Sequence, residues 1–373
     1  MKTKVVDKKI IYLSFILLVI AGKFIRYYFM KDVLVSQGVG HNMINIINNG
    51  SAKFGLLSSS GDILLNTSDN ASKFFSIINI FNIRTYGGFE IYISILWNLL
   101  LIFLISKTKR KFTVVQTIFI MLSIVVLNIF DFCLAKEPLQ MLFFIMIFGI
   151  LISHKISDNK KFIYTLLVLL ACTLFYRSYY ILILFFFIYC RVLFYLFTSK
   201  NKKVSIYRII LLALLTAFTF YIILNVTKLI LPSEFNELLR VRLRMSSAVS
   251  DIRALFRSTN LSVFSIDYLF IIIRMLFPLE LLKLGIKYFP YVIYQLMLTG
   301  LLINNIKYIK KYNYSRKCAI LLFLAFVLGS ATFEPDFGSW VRHETVLFPI
   351  VLIMMGLVEE KGKTYGNKRK KIS

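Results

Sequence analysis

The sequence predicts an all-α, polytopic integral membrane protein of about ten transmembrane helices, and three observations lead to that class. Of the 373 residues, 58% are hydrophobic and 16% aromatic, which is more apolar than a typical water-soluble domain. Apolar runs near the length of a bilayer-spanning helix, about 20 residues, recur along the chain. The net charge of +27 would suggest nucleic acid in a soluble protein, but here short basic connectors explain it. We therefore expect one membrane domain over residues 1–373, in contact with the lipid bilayer and with no nucleic-acid partner.

The first apolar run, residues 10–22, follows the basic start MKTKVVDKK. A cleaved signal peptide is the alternative, but no small-residue cleavage site follows, so a retained first helix is expected. The other nine predicted spans are approximately 89–106, 112–130, 139–153, 162–176, 179–198, 207–230, 290–306, 318–332 and 345–358.

The distribution of basic residues predicts the topology. Six short connectors carry 26 of the 45 Lys and Arg residues. Ten alternating spans place all six on one face, which the positive-inside rule assigns to the cytoplasm together with both termini. The six are the N-terminus, 107–111, 154–161, 199–208, 307–317 and the basic tail 359–373.

The same alternation of ten spans across the membrane predicts two large outer loops, 31–87 and 232–289. Residues 266–289 are apolar but contain Arg274, Glu280 and Pro278, and counting them as a span would put 307–317 on the wrong side. We therefore expect a re-entrant or interfacial hairpin there, shielded by protein. Apolar positions between 74 and 81 predict a helix lying flat on the membrane.

Arginine is concentrated on the predicted outer face. Of 18 basic residues there, ten are Arg, whereas only four of the 26 inner ones are. Charge alone sets topology, so this bias needs another cause, and the planar fork of Arg grips phosphate or carboxylate at two points. Pairing with the 14 outer acids and binding to lipid head groups remain alternatives. Arg240 and Arg244, and Arg253 and Arg257, are each four apart, so each pair shares a face of a predicted helix.

The stretch FEPDFGSWVRHE, a short charged outer loop at 333–344, ends where the last span begins. Helix N-termini that face outward favour anions, and three of them have a basic residue close by: Lys136, Arg177 and Arg342. If these helix ends cluster, they form an anion site. A capped, salt-bridged turn is the structural alternative for 333–344.

Other chemistries have little support. The four cysteines lie in or beside apolar runs without metal-ligand spacing, and P-loop and dinucleotide fingerprints are missing. The span centres hold few charged groups, Arg191 being the main exception, whereas ion-coupled carriers usually keep charges at mid-membrane.

This pattern resembles the Wzy-type polymerases of bacterial capsule, exopolysaccharide and O-antigen assembly, including the EpsG-like group. The residues that carry the resemblance are AKEPLQMLFF, YRSYYILIL, the Arg240–Arg257 loop and WVRHETVLFPIVLIM. An R-x10-G match runs from Arg274 to Gly285, and the second such motif of some members is missing.

The resemblance implies a metal- and cofactor-independent glycosyltransferase at the outer face of the bacterial plasma membrane. It would join undecaprenyl-pyrophosphate-linked oligosaccharide repeat units, with a flippase and a chain-length regulator as expected partners. Arg side chains would stabilise the departing pyrophosphate, and a general base would activate the acceptor hydroxyl. The expected base is His343, then Glu344, Asp336 or Glu137. The expected substrate-binding residues are Lys136, Arg177, Arg240, Arg244, Arg253, Arg257, Arg274 and Arg342.

Three rivals belong to the same pathway. A lipid-linked oligosaccharide flippase would need charged residues deep in the spans. A membrane O-acyltransferase would need a cytoplasmic acyl-donor path, and no His-rich inner motif occurs. A multispan glycosyltransferase that uses a lipid phosphosugar would place an acidic pair soon after the first span, where Asp32 stands alone.

Overall fold

A computed structural model describes residues 5–29, 36–51, 67–177, 179–197, 206–230, 250–252, 255–256 and 260–358. These residues are mostly helical, with one small antiparallel sheet in which β1 (Val5–Asp7) pairs with β2 (Lys111–Thr113). The helices are α1 Lys9–Phe24, α2 Ser36–Asn48, α3 Thr67–Ile78, α4 Tyr86–Ser106, α5 Val114–Phe130, α6 Glu137–Ile152, α7 Asp158–Phe175, α8 Tyr180–Phe197, α9 Ile206–Ile230, α10 Leu261–Leu276, α11 Phe289–Tyr308, α12 Tyr314–Phe333, α13 Phe337–Thr345 and α14 Phe348–Met354.

Four helical segments among the described residues are long and apolar enough to cross a membrane: Lys9–Tyr28, Tyr86–Ser106, Phe289–Lys311 and Tyr314–Phe333. Shorter apolar helices accompany them, α5 and α6 among them. These helices agree with the predicted class, a membrane protein built of helices. Large apolar side chains on the outside of the bundle fit the same class, since Leu13 and Leu17 of α1 are 81% and 70% exposed.

Helix α12 forms the centre of the core. It packs most extensively against α8 and also contacts α14, α10, α11 and α6. Gly329 allows the close approach of α8, because a Cβ there would lie 2.7 Å from the Ile183 side chain. Small residues at helix crossings are typical of membrane bundles, where close packing replaces the hydrophobic effect as the cause of association.

One end of the bundle gathers the predicted inner connectors, and we call it the basic end. The β1–β2 pairing joins the N-terminus to 111–113, while Thr108 bridges to Val358 near the last helix. Lys161 donates to the Ser315 hydroxyl, and Ser315 donates to a carbonyl at the end of α6. Connectors that are distant in sequence are therefore neighbours in space.

The opposite end, which we call the arginine end, gathers the start of α6, the α7–α8 connection and residues 250–252 and 334–345. Ile252 donates to the Pro335 carbonyl, so this part of the predicted outer loop 232–289 lies against the segment before α13. Arg177 and His343 meet here, as described below.

The expected hairpin at 266–289 is helical in its first part. Helix α10 ends at Leu276, whose carbonyl accepts a hydrogen bond from Thr299, near the middle of α11. Pro278 and two 3₁₀ turns follow, and α11 then begins at Phe289. The segment thus reaches the middle of its neighbour before it turns back.

Two other predicted helices are confirmed only in part or lie outside the described residues. The helix expected at 74–81 is present as α3, but it ends at Ile78, and Phe75 is fully buried rather than lying on a free face. The predicted amphipathic helix that carries Arg240, Arg244, Arg253 and Arg257 lies largely outside the described residues, and so do these four arginines.

Candidate functional site

Helix α13 places the residues of the charged stretch, and it corrects the expectation of a short loop at 333–344. Asp336 starts the helix as its N-cap, with Oδ1 accepting a hydrogen bond from the Ser339 amide at 2.8 Å. The apolar side of the helix is buried and includes Phe337, Trp340 and Val341. A capping acid followed by apolar residues at helical spacing is a helix-start signal, and it explains why this stretch folds as a buried helix.

His343 forms a dyad with Glu334, which directly follows α12. Its Nδ1 lies within hydrogen-bond distance of Glu334 Oε1, and both side chains are almost fully buried. Burial raises the pKa of Glu334, but its neighbours His343, Ser339 and Arg177 together hold that pKa below its ordinary value. Glu334 is therefore an ionised acceptor, and we infer that Nδ1 carries the proton of the imidazole.

Arg177 forms a hydrogen bond with the other ring nitrogen of His343. Its NH1 lies 2.8 Å from His343 Nε2 and 2.7 Å from the Tyr179 hydroxyl. A guanidinium group has no acceptor, so Nε2 must accept this hydrogen bond. Both contacts of His343 therefore describe a neutral imidazole with its proton on Nδ1 and its lone pair on Nε2.

Glu137 and Arg342 complete the group, which we call the histidine cluster: Glu137, Arg177, Glu334, Arg342 and His343. Glu137 Oε1 lies 3.7 Å from His343 Nε2 and 3.9 Å from Arg342 NH1. The Arg342 side chain is 27% exposed, whereas Glu137 is 4% exposed. The cluster is thus buried at its histidine and open at an arginine.

Two uncharged side chains hold the helices of the cluster together. Gln140, one turn after Glu137 on α6, donates to the His343 backbone carbonyl at 3.2 Å. The Tyr176 hydroxyl donates to Gln140 Oε1 at 3.1 Å. These contacts connect α6, α13 and the α7–α8 connection, so the distances within the cluster depend on three separate parts of the chain.

Asp131 lies behind the cluster, between α5 and α6. Its Oδ2 meets the hydroxyl of Thr345, and that hydroxyl also lies 2.7 Å from the Val341 carbonyl. Because a carbonyl only accepts, both contacts are satisfied if Thr345 donates to Val341 and a protonated Asp131 donates to Thr345. Burial raises the pKa of Asp131 well above its usual range, which agrees with a neutral acid.

The structure brings together four of the predicted site residues: Glu137, Arg177, Arg342 and His343. Lys136 lies beside Glu137 at the N-terminus of α6. Asp336 serves as the helix cap of α13, where burial raises its pKa.

Two predicted residues have other partners. Glu344 accepts a hydrogen bond from Gln295 of α11 at 3.0 Å and lies outside the histidine cluster. Consecutive helical residues point about 100° apart, which explains why the neighbour of His343 faces another helix. Arg274 forms a two-point salt bridge with Glu280, at distances down to 2.7 Å.

Sequence reasoning left Glu334, Tyr179 and Gln140 out of the expected site residues. A weak signal existed for each of them. Gln140 lies one helical turn from Glu137, and Tyr179 is two residues from Arg177. Glu334 precedes the cap residue of the helix that carries His343, but only the turn between α12 and α13 brings the two side chains together.

No family model, curated protein or solved structure matches this chain. The chemistry of the histidine cluster is therefore the basis for a functional assignment. A neutral imidazole oriented by a carboxylate is a suitable proton acceptor, and arginines beside it are suitable donors to an anion. Together they suit a reaction in which a hydroxyl loses a proton while negative charge develops nearby.

Proposed function

We propose that the protein is a membrane glycosyltransferase that polymerises lipid-linked oligosaccharide repeat units at the outer face of a bacterial plasma membrane. The observation that carries the proposal is the contact of His343 with Glu334 on one nitrogen and Arg177 on the other. The resemblance of the sequence to Wzy-type polymerases indicates the substrate, an oligosaccharide on undecaprenyl pyrophosphate.

The proposed topology has ten membrane spans and both termini in the cytoplasm. It is supported by the basic end, where connectors rich in Lys contact one another, since such connectors stay in the cytoplasm. The histidine cluster lies at the opposite end and would therefore face outward. The hairpin that begins with α10 supports the same number of spans. Helix α10 ends near the middle of the bundle, and the chain then turns back without crossing it.

Arg177 and Arg342 would bind the diphosphate of the donor. Arg177 lies just before α8, and the cluster includes the first residue of α6. Free N–H groups at helix N-termini carry partial positive charge and add to the attraction for an anion. Preorganised donors of this kind stabilise a leaving group at the moment its charge develops.

The reaction follows from these positions. The hydroxyl of the incoming unit attacks the reducing-end anomeric carbon of the growing glycan. A new C–O bond forms, the C–O bond to the diphosphate breaks, and its electron pair stays on the lipid diphosphate, which is held by arginine. The hydroxyl proton moves to His343 Nε2, and Glu334 stabilises the imidazolium that results.

An apolar pocket beside α13 suits the lipid part of such a substrate. Phe337 and Val341 of α13 face this pocket, whereas His343 of the same helix lies in the charged cluster. An amphiphile could thus place its anionic head and its hydrocarbon on two sides of one helix. Other lining residues are Ile25, Ile129, Leu281, Tyr288 and Tyr291.

Alanine at Arg342 or at His343 tests the proposal in cells. Losing a general base lowers rates by about 10²–10⁴-fold, so long polymer should disappear while single repeat units persist. The matched control is His154→Gln, because His154 is exposed and lies near the basic end. Polysaccharide length is measured by gel electrophoresis. Normal length in both alanine variants contradicts the proposal, and lipid-linked units trapped inside the cell would indicate a flippase instead.

A further inference from the structure

The ring nitrogen that has to accept a proton is covered in this structure. His343 Nε2 carries the only lone pair of the neutral imidazole, and Arg177 NH1 donates to it at 2.8 Å. The side chain of His343 is 3% exposed, so a second donor has little room to approach while Arg177 stays in place. As it stands, the imidazole is oriented for base catalysis but already occupied.

We propose that Arg177 is a reversible cap on His343, which the diphosphate of the donor removes by binding the guanidinium group. The inference rests on the proposed function and adds the order of events. The base becomes available only after the anionic donor has bound, so the acceptor hydroxyl is activated when a leaving group is present. An acceptor without a donor would meet a covered base.

The contacts of Arg177 are those of a group that can exchange partners. Both NH1 hydrogens go to uncharged acceptors, His343 Nε2 and the Tyr179 hydroxyl. Among the described residues, the side-chain hydrogen bonds of Arg177 are made by NH1, and the carboxylates of Glu137 and Glu334 attract its charge without forming a salt bridge with it. Hydrogen bonds from arginine to phosphate are roughly twice as strong as those between neutral groups, so an arriving phosphate would outcompete the imidazole.

The surroundings of Arg177 allow a short movement rather than an unfolding. The residue lies in the connection between α7 and α8, outside either helix. Its guanidinium group lies 5.3 Å from the ring of Tyr176 and 5.4 Å from that of Tyr179, which form a platform along which it can turn. Arg342 differs, since it interacts with the Glu137 carboxylate and with the Gly338 carbonyl.

Nitrogen-15 NMR of the histidines tests the cap without any need for polymer synthesis. The chain has only three His residues, so full-length protein labelled with ¹⁵N-histidine in lipid nanodiscs gives few signals, and His343→Gln identifies the one of interest. At neutral pH we expect a neutral ring protonated at Nδ1, with Nε2 hydrogen-bonded. Inorganic pyrophosphate and, separately, farnesyl diphosphate should shift the Nε2 signal downfield in a saturable way.

Two variants make the result specific. Arg177→Met should show the downfield Nε2 position without any ligand and no further shift with diphosphate. The control Arg84→Met should respond as the wild type does, because Arg84 is exposed and lies outside the histidine cluster. If Arg177→Met does not fold, the titration of the wild type still decides the matter.

Three results would overturn the cap: a proton on Nε2 in the free protein, a doubly protonated ring at neutral pH, or an unchanged Nε2 signal when pyrophosphate is bound. A response to pyrophosphate but not to farnesyl diphosphate would limit the ligand to free phosphate and contradict capping by a lipid-linked donor. Normal polymer length in the Arg342 and His343 variants would refute the proposed function alone, since the NMR signals do not depend on it.

Discussion

Two groups of buried charges lie at the arginine end, and they differ in how completely they are paired. Arg26 and Glu90, which we call the closed pair, are 3% and 2% exposed and form a salt bridge of 2.9 Å. Arg26 NH1 also donates to the Ile129 carbonyl at 2.7 Å. The histidine cluster, by contrast, includes Arg342 at 27% exposure.

The difference separates arginines that hold helices together from arginines that can receive a ligand. The closed pair connects the end of α1 with α4 and α5, and its charges are satisfied within the protein. Arg177 hydrogen-bonds to uncharged acceptors, and Arg342 reaches the surface. The predicted excess of arginine on one side therefore includes Arg26, which is buried and paired, and Arg342, which is partly exposed, and composition alone cannot distinguish the two.

The largest expected effect breaks the closed pair. Arg26→Met leaves Glu90 buried without its partner, and removing one member of a buried ion pair costs about 3–5 kcal/mol of stability. Arg342→Met should cost less than Arg26→Met, because Arg342 is 27% exposed and lies 3.9 Å from Glu137, beyond hydrogen-bond distance. Thermal unfolding in detergent micelles compares the two variants.

The double variant Arg26→Met/Glu90→Leu is the control for this comparison, because it removes both charges and should recover most of the stability. Equal losses for Arg26→Met and Arg342→Met would remove the distinction between the two groups.

Local sequence signals account for most of the fold. Hydropathy predicts helices whose bounds agree with the structure within a few residues, as in α4 (predicted at 89–106) and α6 (predicted at 139–153). The turn at Pro278 follows from proline's missing donor and from the charges around it. These features depend on residues near one another in the chain, so one sequence suffices to find them.

The histidine cluster was predictable only in part. Basic residues beside helix N-termini pointed to Arg177 and Arg342, but the sequence does not show that Arg177 would contact His343, 166 residues away. Gln140 and His343 are 203 residues apart. Contacts of this kind depend on how α6, α8 and α13 pack, and the periodicity of each helix carries no information on its neighbours.

A smaller effect is expected from Glu334→Gln. This variant tests whether the histidine cluster serves the reaction, whereas the closed pair serves stability. The amide keeps the shape and can still accept from Nδ1, but it cannot stabilise an imidazolium with a full charge. A hydrogen bond to a charged group is worth about 1.5–3 kcal/mol, so we expect roughly 10- to 100-fold slower polymerisation with little loss of stability.

Glu280→Gln is the matched control for Glu334→Gln, because it alters a carboxylate paired with Arg274 at the surface. Polymer yield over time, measured in membranes supplied with lipid-linked units, should be unchanged in this control. A loss of stability in Glu334→Gln as large as in Arg26→Met would make Glu334 a structural residue.

The last effect concerns the pH dependence of stability and Asp131, which lies between the two groups and carries a proton. Since burial raises its pKa in the fold above the ordinary value of 3.8, the folded state binds a proton that the unfolded state releases. Its contribution to stability is therefore complete below pH 3.8 and is lost as pH rises toward the raised pKa, by up to about 1.4 kcal/mol per pH unit.

Asp131→Asn keeps the shape, and its amide donates to Thr345 without a proton to lose. We expect the unfolding temperature of the wild type to fall from pH 5 to pH 7, and that of Asp131→Asn to change less and to equal or exceed the wild-type value at pH 7. Asp7→Asn is the control, because the amide of Lys9 holds the pKa of Asp7 below its usual value, so it does not titrate in this range. Parallel curves for wild type and Asp131→Asn would show that Asp131 is ionised. It would then belong with the charges of the histidine cluster, facing Arg26 and Arg342, rather than with the neutral contacts behind it.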